Sequence, residues 1–137
     1  MKTTIRLPTF GGGLGVLTEA LRRRGIGPLT VLERDRRLAR HLRRAFGPEV
    51  TVVEGDARTF PVPGNYAAVV GNLPYSVATP ILLRLFEARV PRVVAMVQSE
   101  VADRLCASPG SKAFGRLTLG AALYGVVEPF QVATGVA

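Results

Sequence analysis

The stretch GGGLGVLTEALRRRGIGPLTVLERDRRLARHLRRAFGPEVTVVEGDA, residues 11–57, decides the fold. It opens on glycines and then places Leu14, Leu17 and Leu21 at helical spacing, which predicts a helix over 14–24 that ends at Gly25. Residues 29–33 (LTVLE) form a short run rich in strand formers. Asp35 stands where a helix cap is needed. Leu38, Leu42 and Phe46 then mark one face of a helix whose remaining positions include Arg36, Arg40, Arg43 and Arg44, and Gly47-Pro48 stops it. Residues 50–54 (VTVVE) are a second strand. Strand, helix and strand in this order and at these lengths define a βαβ unit, and such units build parallel sheets.

The pattern continues outward. Residues 66–71 read as a strand. Thr79-Pro80 reads as a cap followed by proline at the first helical position, with Ile81, Leu82, Leu85 and Phe86 behind it. Residues 92–97 look like a buried strand, 99–107 like a helix, and 61–64 like a loop. The expected fold class is α/β: a mostly parallel sheet with helices on both faces, in one domain over residues 1–137. There is no internal repeat, low-complexity segment or linker.

Composition narrows the partners. The chain has 137 residues, 47% of them apolar, a net charge of +8 and an isoelectric point near 11. Lys2 and Lys112 are the only lysines, so the positive charge is almost all arginine. Such a balance suits nucleic acid or, less often, an anionic membrane surface, although arginine-rich coding sequence would leave the same mark. The single cysteine, Cys106, excludes an intrachain disulfide. With one histidine, His41, no Cys/His metal cluster can be assembled. Residues 1–10 lack the apolar run of a signal peptide, and the apolar segment 117–127 is too short to span a bilayer. A soluble, cytoplasmic, monomeric protein without a metal is expected.

Four places could carry chemistry. Gly11, Gly13 and Gly15 precede the first helix, where glycine lets a ligand approach the backbone. Glu33 ends the next strand, about 20 residues on, and a carboxylate there accepts from two vicinal ribose hydroxyls at once. Asp56, in Gly55-Asp56-Ala57, can accept from an adenine amino group. These three indicate a nucleoside-containing cofactor without separating NAD from S-adenosylmethionine. The fourth, Asn72-Leu73-Pro74-Tyr75, ends the 66–71 strand. The exocyclic amine of adenine is a poor nucleophile because its lone pair is delocalised into the ring. The Asn72 side-chain carbonyl and the Leu73 or Pro74 backbone carbonyl can accept both amine hydrogens, which favours a pyramidal nitrogen. Tyr75 can stack on a base drawn out of its helix. A nicotinamide-dependent domain would leave this tetrapeptide without a task.

With those residues in view, the chain resembles the ribosomal RNA adenine dimethyltransferase family. The resemblance is carried by residues 11–18 (GGGLGVLT), 31–35 (VLERD), 55–57 (GDA), 71–75 (GNLPY), 78–82 (ATPIL), 97–105 (VQSEVADRL) and 111–117 (SKAFGRL). The last two segments favour the small-subunit branch over the macrolide-resistance enzymes that act on large-subunit rRNA. The resemblance implies a Rossmann-like methyltransferase fold, S-adenosylmethionine as methyl donor, and ribosomal RNA of the small subunit as partner. It puts Gly11, Gly13 and Gly15 under the methionine end of the cofactor, Glu33 on its ribose, and Asp56 with Ala57 at its adenine. Asn72, Leu73, Pro74 and Tyr75 would hold the target amine, Phe114 would pack on the target base, and Lys112 and Arg116 would meet RNA phosphates.

The chain departs from the family pattern in three respects. Nothing in residues 1–10 matches the family's Gly-Gln-Asn-Phe-Leu segment. Thr9 takes the acidic position before the glycines, and Pro8 falls where a central strand is expected. The family's Phe-x-Pro-x-Pro segment, a further strand and a small helical domain do not follow residue 137. The expectation from the sequence is therefore a core truncated at both ends, an incomplete fold with weak or absent catalysis on ribosomes. An inactive RNA-binding or ribosome-assembly module is the alternative.

Overall fold

A computed structural model of the chain describes residues 3–7, 15–62 and 65–130; the side chains of residues 3, 5–7 and 75 are outside that description. Five strands, β1 (Thr3–Leu7), β2 (Leu29–Glu33), β3 (Val50–Glu54), β4 (Tyr66–Asn72) and β5 (Val93–Met96), form one sheet in the order β3-β2-β1-β4-β5. Every pairing is parallel. The helices are α1 (Val16–Arg23), α2 (Arg36–Phe46), α3 (Tyr75–Glu87), α4 (Ser99–Leu105) and α5 (Arg116–Tyr124). The carboxyl ends of all five strands therefore lie along one edge of the sheet.

Strand β2 is buried at every position, as expected of an interior parallel strand covered on both faces. Its side chains alternate between two cores. Leu29 and Val31 join Val50 and Val52 beneath Ala39, Leu42 and Phe46 of α2. Leu32 points the other way, into the larger core of Val69, Leu73, Ile81, Leu82, Leu85, Val101 and Leu117, which α3, α4 and α5 cover. Helix α2 starts where the sequence places it: the Asp35 carboxylate accepts from the backbone N–H groups of Arg37 (2.7 Å) and Leu38 (3.3 Å). Ala39 takes the fully buried place expected of Leu38, which is half-buried.

Several expectations are corrected. Among the described residues, α1 begins at Val16, and Leu14 lies outside them. The helix expected to start at Pro80 begins five residues earlier, at Tyr75, with Pro74 as its cap (φ −66°, ψ 150°). Pro80 is a second-turn residue. Its missing N–H leaves the Ser76 carbonyl without a helical donor, and both residues are exposed, so water can take that bond. Residues 92–97 are not a buried strand. β5 is the last strand of the sheet; Val93 and Ala95 pack on the larger core, while Val94 and Met96 are 39% and 55% exposed on the other face. Strand β1 lies earlier than the position around Pro8 to which the resemblance pointed, and no pattern in residues 3–7 marked it. It ends at Leu7, before Pro8, so the proline does not interrupt the described ladder. Helix α5 was not foreseen either. It is tied to α4 by Thr118, whose hydroxyl donates to the Arg104 carbonyl and accepts from the Gly115 N–H.

Gly15 caps α1 in the left-handed region (φ 96°), and a Cβ there would stand 2.8 Å from the Phe46 ring. Gly25 is also left-handed (φ 74°), but a Cβ there meets nothing. Gly15→Ala is therefore expected to lower stability by about 2–4 kcal/mol, and Gly25→Ala by only about 1 kcal/mol. Urea denaturation of the two variants beside wild type checks the difference, and equal midpoints would contradict it.

Candidate functional site

The carboxyl edge collects most of the residues singled out from sequence. Glu33 ends β2 and pairs in register with Glu54 at the end of β3. The Gly55 N–H then donates to the Glu33 carbonyl (3.0 Å), so Asp56 and Ala57 follow beside it. On the other side of β1, Gly71 is in register with Leu7, and Asn72 ends β4 opposite Met96 of β5. The strand order reverses direction at β1, and in α/β sheets a crevice opens at that point, outside the carboxyl ends. Glu33 and Asp56 flank it on one side and Asn72-Leu73-Pro74-Tyr75 on the other. Gly11 and Gly13 lie outside the described residues, as does Thr9. Gly15 caps α1 with its Cα close to Phe46 and Leu42, so a side chain there is excluded by packing.

Glu33 is an unusual carboxylate. It is 3% exposed. Its Oε2 accepts from the Asp35 N–H (2.9 Å), while its Oε1 is buried with no partner among the described residues. A buried carboxylate oxygen without a donor is costly, and a ligand hydroxyl would supply the missing bond. Thr18 Oγ1, in the first turn of α1, is likewise buried and without a partner among the described residues.

Asp56 is not the free acceptor that the sequence suggested. Arg58 encloses it: the Arg58 N–H donates to Oδ1 (2.8 Å), its Nε lies 3.1 Å from both oxygens, and its Nη2 donates to Oδ2 (2.7 Å). Arg34 Nη1 stands 4.0 Å away. The side-chain bonds from Arg58, then its backbone N–H, hold the Asp56 carboxyl down at about 2 against an ordinary 3.8. An adenine amine would have to share this carboxylate with the guanidinium. The Ala57 side chain belongs to the core, and its carbonyl accepts from Arg84 Nη1 (2.8 Å). Arg84 Nη2 also reaches the Phe60 carbonyl (2.5 Å), so one arginine of α3 pins the turn after β3. Sequence reasoning missed both Arg58 and Arg84. The only available signal was an arginine interrupting the apolar run ILLRLF.

At the Asn72 turn the structure chooses between two carbonyls. The Pro74 carbonyl already accepts from the N–H groups of Val77 (3.1 Å) and Ala78 (3.0 Å). The Leu73 N–H donates to the Met96 carbonyl (2.9 Å) and its side chain is buried in the core, while its carbonyl receives no hydrogen bond among the described residues. The Asn72 side chain, half-buried, also makes none. The available pair of acceptors is thus Asn72 Oδ1 and the Leu73 carbonyl. Lys112 and Phe114 lie in the connection between α4 and α5, and Arg116 is the first residue of α5. Phe114 is half-buried; Lys112 and Arg116 are exposed. Among the described residues no group of three or more His, Cys, Asp or Glu could hold a metal, and no helix is long and apolar enough to cross a membrane.

Solved structures share this arrangement. The chain superposes on the 23S rRNA methyltransferase ErmE with a TM-score of 0.62 and 29% identity, over 75% of this chain and 42% of that one. A glycopeptide N-methyltransferase, MtfA, complexed with S-adenosyl-L-homocysteine, gives 0.52 at 19% identity, over 64% and 41% of the two chains. The fold is the Rossmann-like fold of S-adenosylmethionine-dependent methyltransferases. Within that class the family model for ribosomal RNA adenine dimethylase matches residues 8–131, and the chain belongs to that family. It is 42% identical over 132 residues to the ribosomal RNA small subunit methyltransferase A of Aliivibrio salmonicida, covering 90% of this chain and 47% of the relative. The Ralstonia nicotianae protein of the same name is 45% identical over 120 residues, covering 82% and 42%. The chain spans about half the length of the curated relatives it matches.

The Asp56–Arg58 pair has a defined pH signature. Because the folded pKa (about 2) lies below the ordinary 3.8, the pair contributes stability above pH 3.8 and loses it as pH falls toward 2. The stability gap between wild type and Arg58→Met is therefore expected to be constant from neutral pH down to about pH 4.5 and to close between about pH 4 and 2. Chemical denaturation across that range measures it; a gap independent of pH would show that Arg58 acts through packing instead.

Proposed function

We propose that this domain transfers methyl groups from S-adenosylmethionine to the exocyclic amine of adenine in small-subunit ribosomal RNA, in the cytoplasm and as a monomer. The observation that carries the reading is the buried Oε1 of Glu33, without a partner among the described residues, on one side of the β1 crevice, with two acceptors of the Asn72 turn likewise without donors among them on the other. The residues present fit the cofactor. Glu33 Oε1 lacks a donor among the described residues, and a ribose hydroxyl is one. Asp56, kept anionic by Arg58, and the Ala57 backbone suit the polar edge of an adenine. Gly11 and Gly13 are assigned to the methionine end.

When bound, the cofactor supplies a methyl group activated by its sulfonium. The protein's own task is then positioning and desolvation. Asn72 Oδ1 and the Leu73 carbonyl take the two hydrogens of the adenine amine, which pulls its lone pair out of ring conjugation and fixes its direction. Pro74 stiffens the turn and commits its own carbonyl to α3, so the acceptors stay in place. Tyr75 and Phe114 are assigned to the faces of the extruded base, and Lys112 and Arg116 to nearby phosphates. The identities of 42–45% with small-subunit enzymes, against 29% with the large-subunit enzyme ErmE, support the small-subunit substrate.

Calorimetric titration with S-adenosylhomocysteine tests the cofactor half. Wild type should bind, and Glu33→Gln, which keeps the shape but removes the charge, should bind about tenfold more weakly. Single-turnover methyl transfer to rRNA of undermethylated small subunits tests the other half. Asn72→Ala should lose about 100-fold in rate while its affinity for S-adenosylhomocysteine stays within about twofold. A folded wild-type chain that bound no S-adenosylhomocysteine would sink the reading and favour an RNA-binding module without catalysis.

A further inference from the structure

Helix α2 carries more charge than its place in the fold requires. Its sequence, RRLARHLRRAF, holds five arginines and a histidine and no acidic residue. Two of the arginines share one carboxylate. Arg43 donates to Glu54 (3.0 Å) and to the Val52 carbonyl (3.1 Å), and Arg36 Nε lies 3.8 Å from Glu54. The other three, Arg37, Arg40 and Arg44, are exposed and form no ion pair among the described residues. All ten aspartates and glutamates of the chain are among those residues, so no carboxylate side chain remains to pair with them.

These three arginines share one face. Positions 37, 40 and 44, with His41 between them, follow the i, i+3, i+4, i+7 spacing that stacks side chains along a helix. The stripe rises about 10 Å, enough to meet two or three successive phosphates of one strand. It is not a stabilising device, because like charges at these spacings cost a helix a few tenths of a kcal/mol per pair. A surface helix shaped for solubility alone would interleave glutamates. The guanidinium fork matches phosphate oxygens two at a time, which a lysine cannot do. The stripe also occupies its own side of the molecule. Ala39, Leu42 and Phe46 pack α2 on the sheet face opposite α3, α4 and α5, so it is separate from the α4–α5 connection that bears Lys112, Phe114 and Arg116. Its Arg37 end adjoins the carboxyl edge through the Asp35 cap.

We propose that Arg37, Arg40 and Arg44 form a second RNA-docking surface, which grips the phosphate backbone of the substrate RNA away from the target adenine and without regard to base sequence. The proposal takes from the preceding reading only that the partner is RNA; it does not depend on cofactor binding.

The test is fluorescence anisotropy of the full chain with a labelled RNA hairpin of arbitrary sequence, over about 50–200 mM KCl. The triple variant Arg37→Gln, Arg40→Gln, Arg44→Gln keeps good helix formers at exposed positions. It should bind at least tenfold more weakly at about 100 mM salt, with the slope of log K against log salt shallower by about 2. A matched triple, Arg24→Gln, Arg89→Gln, Arg92→Gln, removes the same charge from exposed arginines outside the stripe and should stay within about threefold of wild type. The Arg-to-Lys triple on the stripe should restore most of the salt slope. Equal losses in the two glutamine triples would overturn the proposal in favour of net charge alone. Loss of binding to phosphatidylglycerol vesicles with RNA binding intact would overturn it in favour of a membrane surface. If S-adenosylhomocysteine fails to bind wild type while the stripe result holds, the methyltransferase reading falls and the docking surface stands.

Discussion

The reversal of winding at β1 is the constraint on which the rest of the molecule depends. Strands β2 and β3 extend the sheet to one side of β1, β4 and β5 to the other, and all five run parallel. Parallel pairing brings every strand's carboxyl end to one edge. In α/β sheets a reversal of strand order of this kind marks the point where a crevice opens outside the carboxyl ends. Residues separated by about 40 positions in sequence, Glu33 and Asn72, come to flank one crevice because of this single topological fact. Both faces of the sheet are covered by helices, which keeps its interior strands dry and their ends rigid.

Electrostatics sharpen the crevice on its β2–β3 side. Glu33 is a buried carboxylate with one oxygen satisfied by its own chain two residues on and the other without a donor among the described residues. Asp56 is the opposite case, a carboxylate with more donors than it needs, held ionised by Arg58. Arg84, from a helix on the far side of the sequence, fastens the turn that carries Asp56 by taking two of its carbonyls. The site is thus organised by arginines that none of the family's motifs contains. On the β4 side the organising element is Pro74, whose conformation caps α3 and whose carbonyl is spent on that helix, while the Leu73 carbonyl accepts no hydrogen bond among the described residues.

The basic composition divides by function along the same lines. Arg22, Arg23, Arg43 and Arg58 are matched to Glu19, Glu49, Glu54 and Asp56 and serve the fold. Arg84 is consumed by backbone carbonyls. The unmatched arginines of α2 stand together on one face.

The strands at 29–33 and 50–54 and the helix 36–46 were legible to the residue, because interior parallel strands are uniformly apolar and Asp35 and Gly47-Pro48 punctuate the helix between them. The motif residues Glu33, Asp56 and Asn72 were legible too: Glu33 and Asn72 end strands, and Asp56 follows the end of β3 by two residues. Strand β1 was not: TTIRL carries little apolar pattern of its own and is defined by the neighbours it pairs with on both sides. The start of α3 was misread because Thr-Pro mimics a helix start, while the true start rests on Pro74 and a turn pinned to β5 by the Leu73 N–H. The exposed face of β5 follows from its place at the sheet's edge, which local sequence does not encode. Arg58 and Arg84 were invisible for the same reason: a guanidinium's role is set by what lies within about 3 Å of it. The sequence by itself thus determined the class of fold and the family's strand-end residues, because short-range patterning specifies elements and motifs. Only the tertiary structure decided which carboxylate, carbonyl and arginines are without partners among the described residues, because those depend on groups distant in the chain.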